Sequence, residues 1–147
     1  AIAVCLKEAS TAKFKKYGEQ IVLNAKALAS ALTDHGFELV SGGTDNHLIL
    51  IDLRNKKVNG RVAAIALEKA NIVLNYNGVP GDIMPPLFSS GIRLGTPAIT
   101  TRGLKEKDME KVAQWLDAVT KIVQTYLSNE VKVQNVSLEK IDKSVRQ

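Results

Sequence analysis

The sequence predicts a small two-layer α/β sandwich, with a short, mainly antiparallel sheet covered by helices and preceded by a long helix. Three observations predict it. Apolar spacing switches between helical and strand-like periods in the order helix, two strands, helix, strand, loop, strand, helix. A Gly-Gly turn, Ser41-Gly-Gly-Thr-Asp-Asn46, separates two short aliphatic runs, the pattern of adjacent antiparallel strands. The composition is globular with an aliphatic core, 45% hydrophobic, 24% charged and only 5% aromatic over 147 residues. That length accommodates one domain, here 1–147.

The elements follow in order. Residues 1–35 read as a long connecting helix, because Ile21, Ala25, Leu28, Ala29 and Leu32 recur on one helical face. Gly18 is its weak point, and His35-Gly36 is its C-terminal stop. Phe37–Val40 and His47–Leu53 are strands. Val62, Ala63, Ile65, Ala66, Leu67 and Ala70 form a short helix after Asn59-Gly60, and Ile72–Asn75 a third strand. Between Tyr76 and Ser90 lie two glycines and three prolines, which suit neither a helix nor a sheet interior and predict a shaped loop. Ile92–Leu94 is a fourth strand pinned between Gly91 and Gly95. After Gly103, Met109, Val112, Ala113, Leu116, Val119, Val123 and Tyr126 trace the stripe of a strong amphipathic helix, with Trp115 at its margin. Ser128-Asn129 interrupts that helix, and 128–147 is expected to be a weakly ordered tail or terminal helix. The opening Ala-Ile-Ala-Val-Cys-Leu reads as the inside of a helix, so a preceding segment is expected to be missing.

Composition also narrows the function. Lys and Arg exceed Asp and Glu by 20 to 15, a net charge of +5, with clusters at Lys13, Lys15 and Lys16 and at Lys56 and Lys57. Such a field attracts phosphates or anionic metabolites. No aromatics interleave with the lysines as a single-strand platform requires, so a solvated basic surface is favoured over an RNA site. The single cysteine, Cys5, forms no internal disulfide, which points to a reducing compartment and a packing role. His35, His47 and Cys5 lack metal-ligand spacing. The run Leu48–Ile51 is strand-length and ends at Asp52, and no stretch approaches the roughly 18 apolar residues of a membrane helix.

Three stretches carry polar residues beyond structural need. In Gly91-Ile-Arg-Leu-Gly-Thr-Pro-Ala-Ile-Thr-Thr-Arg-Gly103, Arg93 alternates with Ile92 and Leu94, so its side chain leaves their shared face. A guanidinium on a rigid strand suits a bidentate grip on a carboxylate, and local pattern also allows, and favours, an arginine at a sheet end whose head lies in solvent. In Asn75–Ser90, Asn77 offers a paired donor and acceptor to a planar polar ligand, while Asn-Gly and Pro-Gly also simply make turns. In Ser41–His47, His47 beside Asp45 has no local nucleophile to activate and reads as a hydrogen-bonded structural residue. Asp45 and Asn46 are expected to organise the turn.

Together these stretches resemble serine hydroxymethyltransferase. The resemblance rests on Ser41-Gly-Gly-Thr-Asp-Asn-His47 before an aliphatic strand and Asp52-Leu-Arg54. Val79-Pro-Gly-Asp82 then leads into Ser90–Gly103, all in order between about Ala1 and Tyr126. It implies the C-terminal, small domain of a fold-type I pyridoxal-phosphate transferase interconverting serine and glycine, with tetrahydrofolate as the one-carbon co-substrate. It implies that Arg93 grips the substrate carboxylate, with Arg102 a second substrate arginine, and that Asn77, Pro85, Pro86 and Leu87 face the folate. Tyr76 stands where many relatives carry a basic residue. The family's threonine-rich run with the Schiff-base lysine is absent from this sequence, as are the histidine and aspartate that meet the cofactor ring. No catalytic residue or metal ligand is therefore expected in this chain, which alone should be inactive and should need the upstream part of the enzyme. The resemblance also implies a cytoplasmic homodimer or higher oligomer. Two readings from other classes are a basic module binding RNA or another anion, and a structural dimerisation domain.

Overall fold

The computed structural model describes residues 1–129. Its helices are α1 (Ile2–Ala9), α2 (Ala12–Asp34), α3 (Gly60–Lys69), α4 (Pro97–Thr101) and α5 (Glu106–Asn129). Its strands are β1 (Glu38–Leu39), β2 (Leu48–Asp52), β3 (Asn75–Asn77) and β4 (Gly91–Gly95). All four strands pair antiparallel in the order β1-β2-β4-β3, so the expected α/β sandwich is the observed one.

The register decides which side chains face the helices. Ile51 lies opposite Ile92, and Ile49 opposite Leu94. Ile49, Ile51 and Ile92 join Leu28 and Leu32 of α2, Ala63 and Leu67 of α3, and Met109, Leu116 and Val123 of α5 in one buried cluster. Each leucine, isoleucine, valine or methionine in it contributes roughly 1.5–3 kcal/mol on leaving water. By the alternation of a pleated strand, Gly91, Arg93 and Gly95 of β4 share the other face with Leu48, Leu50 and Asp52 of β2.

Local chemistry sets the element ends. The helix expected across 1–35 is two helices, and the break falls at Ser10–Thr11 rather than at Gly18. Thr11 takes an extended conformation and its hydroxyl accepts from the Phe14 amide at 3.2 Å, starting α2 afresh. Gly36, at φ +73°, stops α2, with the Phe37 amide donating to the Leu32 carbonyl and the Gly36 amide to that of Thr33. Asn59 caps α3 through Oδ1, which accepts from the Arg61 amide at 2.9 Å. Asp108 accepts from the Lys105 amide at 2.8 Å at the start of α5, where acidic residues also complement the helix dipole.

Other expectations need correction. The third strand lies at Asn75–Asn77, not Ile72–Asn75: Ile72 and Leu74 pack on the core while Val73 is 81% exposed, and pairing begins only where β4 lies alongside. The apolar pattern there reports burial rather than pairing. Tyr76 and Asn77 therefore belong to the sheet, and the rest of the expected loop contains a 3-10 turn at Pro86–Phe88. Pro97, at the first position of α4, starts a short helix, its missing donor costing nothing there. Ser128 and Asn129 continue α5 instead of interrupting it, and the tail expected beyond them lies outside the described residues. Cys5, expected to pack, is free and exposed on α1.

α3 reaches the sheet through two glycines. The Gly60 amide donates to the Ser89 carbonyl at 2.8 Å, and a Cβ on Gly60 would overlap the carbonyl oxygens of Ser89 and Gly91. A Cβ on Gly91 would meet a Val79 methyl at 2.5 Å and the Ile51 carbonyl at 2.7 Å. Backbone cannot yield as a flexible side chain does. Gly60→Ala should lower the unfolding free energy by about 1–3 kcal/mol, although alanine is otherwise the better helix residue. Gly78→Ala, where a Cβ meets nothing within 4 Å, should leave it unchanged. Urea denaturation of the two variants checks both.

Candidate functional site

Arg93 sits in the middle of β4, exposed, on the face turned away from the buried cluster. Leu50 lies across from it on β2 and Asn75 on β3. Its own-face neighbours along the strand are Gly91 and Gly95, so β4 raises a single long side chain there. Val79 lies over Gly91 and Leu48 beside Gly95, giving the arginine apolar shoulders. Among the described residues no carboxylate lies within ion-pair distance of it. An unspent guanidinium on a rigid strand can take a planar anion in two parallel hydrogen bonds.

Asn77 pairs with Gly91 and so belongs to the same face as Arg93, its Nδ2 donating to the Gly78 carbonyl at 2.8 Å. Pro85, Pro86 and Leu87 lie exposed at the tip of the following loop, beside Ile83, Met84 and Phe88. Arg102 comes from a different element, exposed, as the C-cap of α4.

The loop is apolar at its tip yet held by polar groups at its base. The Asp82 carboxylate accepts from the amides of Ser90 (2.8 Å), Met84 (3.0 Å) and Val79 (3.4 Å) and from the Ser90 hydroxyl (2.8 Å). These donors, the Ser90 amide foremost, hold its pKa down to about 2. The Asn59 Nδ2 donates to the Phe88 carbonyl at 2.8 Å, and the Ser89 hydroxyl to that of Pro86 at 2.6 Å. Arg54 forks onto Asp52, at 2.6 Å through one terminal nitrogen, and reaches the Pro80 and Gly81 carbonyls at 3.4 Å. That fork lowers the pKa of Asp52. Asp82 was legible as a turn residue in Pro-Gly-Asp, two before an amide it binds, but nothing local revealed its reach to Ser90.

Other candidates play different parts. The His47 side chain is exposed, and it is the His47 backbone carbonyl that serves structure, accepting from the Thr96 amide at 3.2 Å. The turn before it is organised by Thr44 and Asn46, whose Oδ1 accepts from the Leu48 amide at 2.7 Å. Lys56 leaves the basic surface: its ammonium donates to the His35 carbonyl at 2.8 Å and lies over the Phe37 ring. His35 itself stands between Glu110 at 3.0 Å and Asp117 at 3.5 Å, fastening the end of α2 to α5. A concave groove between α2 and the Ser41–Thr44 turn holds none of the residues expected at the site. Among the described residues no cluster of His, Cys, Asp and Glu could hold a metal, and no helix is long and apolar enough to cross a membrane.

Because the folded-state pKa of Asp82 lies below its ordinary 3.8, its tie is complete above about pH 4 and is lost as pH falls through about 2. Amide exchange at Met84 and Ser90, corrected for intrinsic rate, should accelerate across that window. In Asp82→Asn it should already be fast at pH 5 and vary little below it.

The sequence profile of the serine hydroxymethyltransferase family matches residues 1–116.

Proposed function

The chain belongs to the serine hydroxymethyltransferase family, and on that premise we propose that it supplies the substrate-carboxylate and folate contacts of the complete enzyme. The observation that carries this reading is the exposed Arg93, raised between two glycines on the bare face of the sheet with no carboxylate among the described residues within ion-pair distance. Arg93 binds the α-carboxylate of serine or glycine through both arms of its fork and so fixes the orientation of the amino acid's α-carbon. Arg102 adds a second positive charge to the amino-acid side. Asn77 and the Pro85–Leu87 tip face the folate, the amide fixing the polar edge of a flat ring and the prolines and leucine covering its apolar face. The loop's ties through Asp82 and Asn59 favour this assignment, since a wall already held in place loses little entropy on binding.

In this family pyridoxal phosphate supplies the electron sink for chemistry at the α-carbon. Among the described residues, the buried and partly buried candidates do not fit its anchoring. The Lys56 side chain is only 15% exposed, but its ammonium is committed to the His35 carbonyl. The carboxylates of Asp52 and Asp82 are filled by Arg54 and by loop donors, and His35 is held by Glu110 and Asp117. The sequence has no threonine-rich run carrying a histidine and a lysine. On this reading the cofactor's lysine, stacking histidine and ring aspartate come from upstream polypeptide, and this chain alone neither carries out the reaction nor shows the cofactor's Schiff-base absorbance. Its proposed setting is a cytoplasmic homodimer or higher assembly in which these contacts close an active site built largely elsewhere.

In the complete enzyme, Arg93→Lys should raise the KM for serine about tenfold to a hundredfold by removing the bidentate geometry while keeping the charge. The KM for tetrahydrofolate should move little. Asn77→Ala should do the reverse. Steady-state kinetics with each substrate varied in turn tests both, and an unchanged serine KM in Arg93→Lys would leave the sheet face as mere surface.

A further inference from the structure

The side of α2 facing the β4–α4–α5 connection is polar where simple packing needs only aliphatic residues. Tyr17, Gln20, the Ile21 carbonyl and Asn24 recur there at helical spacing. The Tyr17 hydroxyl meets the Pro97 carbonyl at 3.2 Å and the Thr101 hydroxyl at 2.8 Å. Gln20 bonds Glu106 at 2.9 Å and Lys105 at 2.9 Å. The buried Thr96 hydroxyl donates to the Ile21 carbonyl at 2.8 Å.

Asn24 is the centre of this set and is fully buried. Its Nδ2 donates to the Thr100 hydroxyl at 2.8 Å and to the Leu104 carbonyl at 2.9 Å, while its Oδ1 accepts from Gln20 at 3.0 Å. Thr100 passes the connection on, donating to the Thr96 carbonyl at 2.8 Å. Burying an amide costs free energy that its hydrogen bonds only modestly exceed, so what it adds over a leucine is direction. The two groups it holds straddle Arg102, one lying two residues before it and the other two after.

We infer that Asn24 is a positioning residue for Arg102, fixing the α4–α5 turn so that this arginine faces the amino-acid substrate. The inference rests on the substrate role of Arg102 proposed above. It gives α2, remote from the bare sheet face, a share in amino-acid recognition. It gives α2 none in folate recognition, because the folate loop is held separately by Asp82 and Asn59.

The test uses the complete enzyme with Asn24→Leu, Thr100→Val, Arg102→Lys and the double variant Asn24→Leu/Arg102→Lys. Asn24→Leu should raise the serine KM about tenfold, with the tetrahydrofolate KM unchanged. The double variant should be no worse than Arg102→Lys alone, the non-additivity expected of residues acting as a unit. Thr100→Val removes one of the two acceptors in nearly the same volume and carries the same test if Asn24→Leu does not fold. Lower thermal stability with an unchanged serine KM in Asn24→Leu, or effects that simply multiply in the double variant, would overturn the inference while leaving Arg102 in place. An Arg102→Lys enzyme with normal serine KM would overturn the role of Arg102 and this inference with it, without touching Arg93.

Discussion

The pairing register of β2 with β4 is the constraint on which the rest depends. With Ile51 opposite Ile92, and Ile49 opposite Leu94, the aliphatic side chains meet the helices and Arg93 is left on the bare face. A slip by one residue would drive the guanidinium into the buried cluster, where no described carboxylate waits for it, and would put Ile92 in water. Core burial and arginine presentation are thus one decision, enforced by the same aliphatic side chains.

The register would mean little if the loop before β4 could wander. Asp82 spends its carboxylate on the two ends of that loop, Asn59 ties it to the start of α3, and Gly60 and Gly91 let the backbones approach closely enough for those bonds to form. The result is an exposed apolar tip on a polar base. Ile83, 93% exposed, and its neighbours are held out by a scaffold that gives them no core to retreat into. Such an arrangement is costly for an isolated surface and economical for a wall that meets a ligand or another part of a larger enzyme.

Much of this was legible in residue order. Alternation around Arg93 put it opposite its aliphatic neighbours, His35-Gly36 marked the end of α2, and the motifs from Ser41 to Gly103 carried the family resemblance that the profile match over residues 1–116 supports. What was not legible depended on partners distant in sequence. Ile72–Leu74 looks like a strand because strand and connector bury apolar residues alike, and only the position of β4 separates them. Asn24 broke the apolar stripe of α2, a visible signal, yet its meaning required Thr100 and Leu104, some eighty residues on. Thr11 resembles any helical threonine until its extended backbone shows it to be a cap.

The structure of the complete enzyme with glycine bound would show directly what Arg93 holds. The glycine carboxylate should lie on the Arg93 guanidinium in two parallel hydrogen bonds, with Asn77 on the same side of the sheet toward the folate. A glycine carboxylate held by other cations, with Arg93 pointing into solvent, would contradict it.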